Sequence, residues 1–346
     1  MNKINNLPTV SIIIDNWNGS RFLPGCLKSV INQNYPFFEV IVIDDGSTDN
    51  STELIRNKFP GVKLIINKEH KGFAIANMIG VSNSKGEFLL FLNNDTTVTK
   101  DFLFPLVDLM INNLKVGAVQ PKIKSMVYKD ILDEVANYLT PFGFLYHYGY
   151  GQKDSNLFNK RLITFSPKGA CFLTKRELFL SLGGFDTDFY CYFEESDFAW
   201  RVWLSGHIIN YEPKSVIYHF GGGSLYNQTS FNREYFSTRN RLSSLLENLS
   251  FFWLVFVIPL HFIFLTVVFV SFILRGKYLV SLSILKAFLW NFNRLKVILK
   301  NRSYAQNIIR KTSDYKIFKN LMKFPPLDYF KQFLFYYRSV DNRTKK

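Results

Sequence analysis

Five short apolar, β-branched runs punctuate the first third of the chain: TVSIII (9–14), FEVIVID (38–44), VKLII (62–66), EFLLFL (87–92) and VGAVQ (116–120). They are nearly continuous in apolarity, as strands covered on both faces are. Amphipathic stretches separate them, at roughly 19–32, 49–58, 71–84 and 100–113. Strand–helix alternation of this kind predicts an α/β fold with a mainly parallel sheet and helices on both faces. Ligands of such sheets sit at the carboxyl ends of the strands, so the polar residues following each run are the first candidates for chemistry. Residues 122–168, rich in Tyr, Gly and Lys, read as a loop-rich insertion able to shape a groove. Regularity returns at 168–185 and again at 208–224.

A second feature lies outside that pattern. From 251 to 274, FFWLVFVIPLHFIFLTVVFVSFIL contains no Asp, Glu, Lys or Arg. At about 1.5 Å per residue a helix of this length exceeds a hydrocarbon core of roughly 30 Å. Its apolarity runs all the way round, so it is predicted to meet a membrane, by spanning it or by a re-entrant bend at Pro259 and His261. The formal charge of +15 is concentrated beyond it: residues 1–274 hold 25 Lys and Arg against 24 Asp and Glu, and residues 275–346 hold 17 against 3. Such a tail suits a polyanionic surface, either anionic lipid or nucleic acid. Within it, YLVSLSILKAFLWNF (278–292) reads as an interfacial amphipathic helix. The three cysteines are scattered, without a CxxC pair, which argues against zinc or a disulfide framework and for a reducing, cytosolic setting. The opening MNKINNLPTVSIII is too polar and too short before its strand to read as a secretory signal.

Four strand ends or helix starts carry notable polar groups. In DDGSTDNS (44–51), Ser47 to Asp49 make a turn and helix cap, but adjacent Asp44 and Asp45 exceed what a cap needs. One of them can accept a hydrogen bond from a base or ribose. In LNNDTTV, Asp95 is either a turn former or an oxygen ligand for Mg²⁺ or Mn²⁺ beside a diphosphate. His219 closes SVIYHFGGGS as a structural histidine or as a metal or phosphate contact. FYCYFEESDFAWR (189–201) sets Glu194, Glu195 and Asp197 among aromatic residues. A helix start tolerates such acids, and Asp197 with Arg201 has the spacing of a structural ion pair. Glu194 shares that face, as a cap or a ligand contact, whereas Glu195 points elsewhere. No GxGxxG or GxxxxGK[ST] is present, so neither a dinucleotide fold of that type nor a P-loop is supported.

Taken in order, VSIIIDNWNG, VIDDGSTDNS, NKEHKGFAIANMIG, KGEFLLFLNNDT, KGACFLTKRELFLSLGGFD, YFEESDFAWR, YHFGGGS and the RN pair at 239–240 resemble the family 2 glycosyltransferases of GT-A fold, over residues 9–248. The likeness is strongest to the rhamnosyltransferase-like enzymes of surface-glycan synthesis. It implies inverting transfer of one sugar from a dTDP-rhamnose-like or UDP-hexose-like donor to a hydroxyl of a lipid-linked oligosaccharide or polysaccharide, on the cytoplasmic face of a membrane. The resemblance puts Asn16, Trp17 and Asn18 in the nucleotide pocket, Asp44 on the base with Asp45 nearby, and Asn77 on the ribose or diphosphate side. Asn93, Asn94 and Asp95 take the place of a DxD motif, with Asp95 and His219 on Mg²⁺ or Mn²⁺. Glu195 becomes the base that deprotonates the acceptor, flanked by Glu194 and Asp197. The chain departs from the pattern at Asn93, where the first carboxylate of DxD stands, and at Glu195, where the usual aspartate is one methylene shorter. No QxxRW motif is present, which favours one sugar per binding event.

The expected organisation is a catalytic domain (1–248) with a nucleotide-sugar half (1–121) and an acceptor half (122–248), then the hydrophobic segment (249–274) and a basic membrane-surface tail (275–346). Two other readings compete. A nucleotidyltransferase would need a basic Gly-rich loop after the first strand, and DNWNGSRF is a poor one. A non-catalytic membrane-surface or nucleic-acid binder would use the tail alone and leave Asp44, Asp95, Glu195 and His219 without a purpose. No nucleic-acid partner is therefore expected.

Overall fold

A computed structural model of the protein describes residues 7–221, 229–327 and 329–330. Strands β1 (Val10–Asn16), β2 (Phe38–Asp45), β3 (Lys63–Asn67) and β4 (Phe88–Asn93) alternate with helices α1 (Leu23–Ile31), α2 (Ser51–Lys58) and α3 (Phe73–Ser82). Next come β5 (Thr96–Val98), α4 (Leu103–Asn112), β6 (Val116–Ser125), β7 (Leu132–Glu134), β8 (Ala136–Leu139), β9 (Leu145–Tyr148) and β10 (Leu162–Ile163). Then follow β11 (Cys171–Lys175), α5 (Arg176–Ser181), α6 (Glu194–Leu204), β12 (Ile208–His219) and α7 (Ser230–Asn248). The chain continues through α8 (Phe251–Leu274), α9 (Tyr278–Asn293), α10 (Leu295–Tyr304) and α11 (Asp314–Leu321), with a π-helical turn at Ala305–Ile309.

One sheet runs in the order β10-β12-β6-β11-β4-β1-β2-β3, with β5 and β7 attached to β12 and β6. β1 pairs in parallel with β2 and β4, β2 with β3, and β6 with β12, whereas β11 runs antiparallel between β4 and β6. The expected α/β architecture is present. Alternate residues of β1 serve opposite faces, Ile13 entering one core and Ile12 and Ile14 the other. Helix α1 buries Leu23, Cys26, Leu27 and Val30, the spacing of one helical face.

Three expectations change in detail. The first helix begins at Leu23 instead of near 19, because Gly19 to Phe22 form a turn whose Gly19 carbonyl accepts from the amides of Phe22 and Leu23. Residues 122–168 are more ordered than their composition suggests: β6 continues to Ser125, and β8 and β9 form a hairpin. Those strands are four residues each and Tyr-rich, too short for a periodic signal. Finally, Pro259 does not break α8, which runs as one continuous helix, so the re-entrant bend that the sequence allows is not made. By length and composition α8 is long and apolar enough to cross a membrane.

Candidate active site

A cavity of about 280 Å³ opens at the carboxyl ends of β1 and β4, with Asp15, Trp17 and the 93–95 turn on one side and residues 190–195 on the other. In-register pairing of β1 with β2 sets Asn16 beside Asp44. Asn16 Nδ2 donates to Asp44 Oδ2 (2.9 Å), and Asn94 Nδ2 donates to Asn16 Oδ1 (2.9 Å). Gly19 lies against this pair, where a Cβ would stand 2.2 Å from Asn16 Oδ1, so no side chain fits. Asn18, at φ 51°, accepts from the amide of Thr48 (2.8 Å). Asn16, Asn18 and Asp44 thus form a hydrogen-bonded frame behind the cavity wall.

Three expected ligand contacts are engaged elsewhere. Asp45 accepts from Asn67 Nδ2 (2.7 Å), His70 Nδ1 (2.7 Å) and the amides of Lys71 (2.9 Å) and Gly72 (2.8 Å). Burial works against its charge, but these donors hold its carboxyl below the usual range, so Asp45 is a strut for the 67–72 loop. Asn77 is buried and donates back to the Phe73 carbonyl (2.9 Å), turned away from the cavity. Asp197 accepts from Arg201, Ser244 and Asn248, each at 2.8 Å, and ties α6 to α7. The spacing with Arg201 pointed to that structural role.

Asp95 and His219 meet at the cavity wall, Oδ1 to Nε2 at 3.2 Å. On the other side of the ring, Nδ1 donates to Asp133 Oδ2 (2.7 Å), which fixes the ring's orientation and leaves Nε2 facing Asp95. Burial would lower the His219 pKa, but Asp95 and Asp133 raise it to about 9. Lys168 Nζ reaches the same Asp133 oxygen (2.8 Å). Its burial is outweighed by Asp133 and Glu134, which hold it firmly protonated at the edge of the cavity.

The acidic stretch begins α6 after an unusual turn. Tyr192 (φ 68°) and Phe193 (φ 73°) are both left-handed, a conformation costing roughly 1–2 kcal/mol per non-glycine residue. Asn240 Nδ2 holds the turn by donating to the carbonyls of Cys191 (2.9 Å) and Tyr192 (2.7 Å), and Arg239 Nε braces Asn240 Oδ1 (2.8 Å). The RN pair is therefore the clamp that aims Glu194 and Glu195. Asn240→Asp keeps the shape but loses the donor. It is expected to cost about 1–3 kcal/mol in denaturant unfolding, and to lower turnover more than donor affinity.

Glu194 is buried, whereas Glu195 is half-buried and faces open space. Burial, then Glu195, pushes the Glu194 carboxyl well above the ordinary range, and Glu194 Oε2 has no hydrogen-bond partner among the described residues. Burial raises the Glu195 carboxyl to about 7. Beyond Glu195 lies a second cavity of about 430 Å³, bordered by β8–β9 and by Arg233 and Arg241 of α7. Lys168, Tyr192, Phe193 and Glu195 line both cavities, so Glu195 stands where they meet.

Several residues of the site were not among those the sequence singled out. Asp15 is half-buried, its Oδ1 enclosed and unpaired among the described residues, and desolvation followed by Asp45 and Asp44 raises its pKa. Its place as the penultimate residue of β1 could have found it. His70 stacks flat on Trp17 (centroids 4.2 Å, 1° between planes), with Tyr190 edge-on at 5.3 Å, an aromatic platform at the mouth of the cavity. Asp133 and Lys168 reach the site only through folding of the 122–168 segment.

Fold and site define a nucleotide-sugar transferase architecture, and the family profile of "Glycosyl transferase family 2" matches residues 11–183, half of the chain. The protein belongs to glycosyl transferase family 2. It is 37% identical over 111 residues to an uncharacterized glycosyltransferase of Haemophilus influenzae, covering 31% of this chain and 44% of the relative. It is 28% identical over 213 residues to poly-beta-1,6-N-acetyl-D-glucosamine synthase of Staphylococcus epidermidis, covering 60% and 48%. The chain spans about half the length of the curated relatives it matches. Among solved structures, GalNAc-T7 with UDP, GalNAc and Mn²⁺ superposes with a TM-score of 0.57 at 19% identity, covering 70% of this chain and 48% of that one. Mannosyltransferase PcManGT from Pyrobaculum calidifontis, in complex with GDP-Man and Mn²⁺, gives 0.50 at 21%, covering 70% and 64%. These likenesses establish the GT-A fold.

Proposed function

We propose that this enzyme transfers one sugar, with inversion, from a dTDP-rhamnose-like or UDP-hexose-like donor to a hydroxyl of a lipid-linked glycan at the cytoplasmic face of a membrane. The position of Glu195 between the two cavities carries this reading. The donor occupies the cavity at the strand ends, its base against Trp17 and His70, and the acceptor enters beside β8–β9. Glu195 accepts the proton of the attacking hydroxyl, and Lys168 offers positive charge to the diphosphate. Glu194, held neutral, adds no second charge to repel the Glu195 carboxylate.

The wall also fits a divalent cation. Asp95 Oδ1 and His219 Nε2 form an ion pair at 3.2 Å, and with the Nε2 proton displaced by the cation that spacing is close to the roughly 3 Å expected of neighbouring ligands at about 2.1 Å from one ion. Among the described residues no third acidic, His or Cys side chain completes a cluster, so diphosphate oxygens and water would fill the remaining positions. A carboxylate with an imidazole suits Mn²⁺ better than Mg²⁺. Bound there, the ion would act as a Lewis acid toward the departing diphosphate. Solved relatives of the fold holding a nucleotide or nucleotide sugar with Mn²⁺ support this reading, and the polysaccharide synthase relative supports a sugar acceptor.

The test is nucleoside-diphosphate release by the detergent-purified protein across a panel of nucleotide sugars with a lipid-linked acceptor pool, with Mn²⁺ and then EDTA. Release from one donor, lost on chelation, is expected. Release that survives EDTA would remove the metal from the reading, and silence with every donor would remove the transfer itself.

A further inference from the structure

We propose that α8 lies in the plane of the bilayer as a monotopic seat, with its outer face and that of α9 sunk into one leaflet and neither helix crossing it. This rests on the membrane association proposed above and says how the membrane is met.

Helix α8 is covered by protein along its whole length on one side. Val257, His261, Leu265, Val268 and Phe272 are buried, a stripe recurring every three or four residues from its second turn to its last. The first half of that stripe packs on the catalytic domain: Val257 belongs to the main core, and Trp253 meets Phe318 of α11 edge-on at 4.6 Å. At mid-helix, His261 Nδ1 donates to the Phe142 carbonyl (2.7 Å), and Phe264 stacks on Phe142 (4.7 Å). The second half packs on α9 through Val268, Phe272, Val280 and Ile284. A helix crossing the bilayer would have its midpoint near the centre of the hydrocarbon. Here the midpoint is hydrogen-bonded to the β8–β9 turn of a water-soluble sheet domain, which would have to be drawn into the hydrocarbon with it.

The opposite side of α8 is exposed and apolar from end to end, including Phe252 (63%), Ile263 (63%) and Leu274 (82%). Helix α9 extends that surface. Beside Val280 and Ile284, its inward face carries the small and polar residues Ser281, Ser283, Ala287 and Asn291, Asn291 Nδ2 donating to the Arg239 carbonyl (3.0 Å). Its leucines, Leu279, Leu282, Leu285 and Leu289, face out. Four small or polar residues turned inward while the leucines face out suit a helix whose solvent is lipid.

Charge selects the occupant. From 250 to 327 the chain carries twelve Lys and Arg, and its one acid, Asp314, is buried. A second protein would need matching acids and an apolar face; an anionic leaflet supplies both headgroup charge and hydrocarbon. The β8–β9 turn that holds α8 also borders the second cavity through Phe144 and Leu145. An in-plane seat brings that cavity to the leaflet surface, within reach of a glycan whose lipid remains in the bilayer.

The test places single cysteines at Phe252, Ile263 and Leu274, which lie on one face because eleven residues make three turns. The native Cys26, Cys171 and Cys191 are buried, so a thiol-reactive fluorophore reads the introduced site. The full chain is bound to vesicles of phosphatidylcholine with phosphatidylglycerol, brominated either near the ester or near the terminal methyl of the acyl chain. All three labels are expected to be quenched equally, and more by the shallow bromine. A label at 263 quenched best by the deep bromine, with shallow ends, would overturn the in-plane seat in favour of a crossing. No quenching at any site would overturn the seat and the membrane reading together, while nucleoside-diphosphate release would still report on transfer.

Discussion

Glu195→Gln is expected to lower turnover on the order of 10²–10⁴-fold, the usual contribution of a general base, with donor affinity close to that of the unaltered enzyme. The carboxamide keeps the size and polarity of the side chain at the junction of the cavities but cannot take up the acceptor proton. Burial raises the Glu195 carboxyl to about 7, and only the ionised form is a base. Activity of the unaltered enzyme should therefore fall as pH drops through about 7, the residue protonating and losing function on the acid side. The variant's residual rate should lack that limb. A pH profile of kcat/KM, with donor binding followed by calorimetry, separates the two effects. Near-normal turnover by Glu195→Gln would remove the assignment.

The same shift has a consequence for stability, with its sign set by linkage. A carboxyl with a folded pKa above its unfolded value binds its proton more tightly in the folded state. Its ionisation destabilises the fold, beginning above the unfolded value near 4.3 and increasing until pH passes about 7. Glu195→Gln should thus melt at a higher temperature than the unaltered protein at pH 8, with little difference at pH 4. A more stable, inactive variant is what a site strained for chemistry gives.

Asp95→Ala is expected to reduce kcat/KM on the order of 100-fold or more, since the charge stabilisation supplied at a metal site amounts to several kcal/mol. Among the described residues Asp95 is the one carboxylate paired with Nε2 of His219, and the neighbouring Asn93 cannot replace its charge. Asp133→Asn tests the geometry behind it. Asp133 reaches Nδ1, so the amide should weaken Mn²⁺ affinity by roughly 10–100-fold while high Mn²⁺ restores turnover. Mn²⁺ titration followed by electron paramagnetic resonance reads binding independently of catalysis. Unchanged Mn²⁺ affinity in both variants would place the ion elsewhere.

Much of the architecture was legible in the linear chain. The runs that became β1 to β4 are apolar on both sides of the strand, and their helices carry a 3.6-residue period, so both patterns are local and readable. Strand-end placement made Asp44, Asp95 and His219 candidates for the same reason. The acidic start of α6 and the Asp197–Arg201 spacing were readable too, because each involves residues within two turns of one another.

Tertiary structure decided which of those candidates face the cavity. Asp44 and Asp45 are adjacent in sequence, yet one is wired to Asn16 across the β1–β2 pair and the other is consumed by four donors of the 67–72 loop. Asp133 meets His219 from 86 residues away, and Asn240 meets the Tyr192 carbonyl from 48. The left-handed pair Tyr192 and Phe193, which no propensity favours, exists because that distant amide holds it. Likewise, composition made α8 a candidate membrane helix, but only the fold supplies its packing on Phe142, Phe318 and α9, on which the proposed in-plane seat rests. Periodicity and strand-end chemistry are properties of neighbours along the chain, so the sequence by itself determined the sheet, its helices and the family. Which carboxylates remain free to react depends on hydrogen bonds between residues far apart, and these are chosen only when the strands take their register and the helices dock.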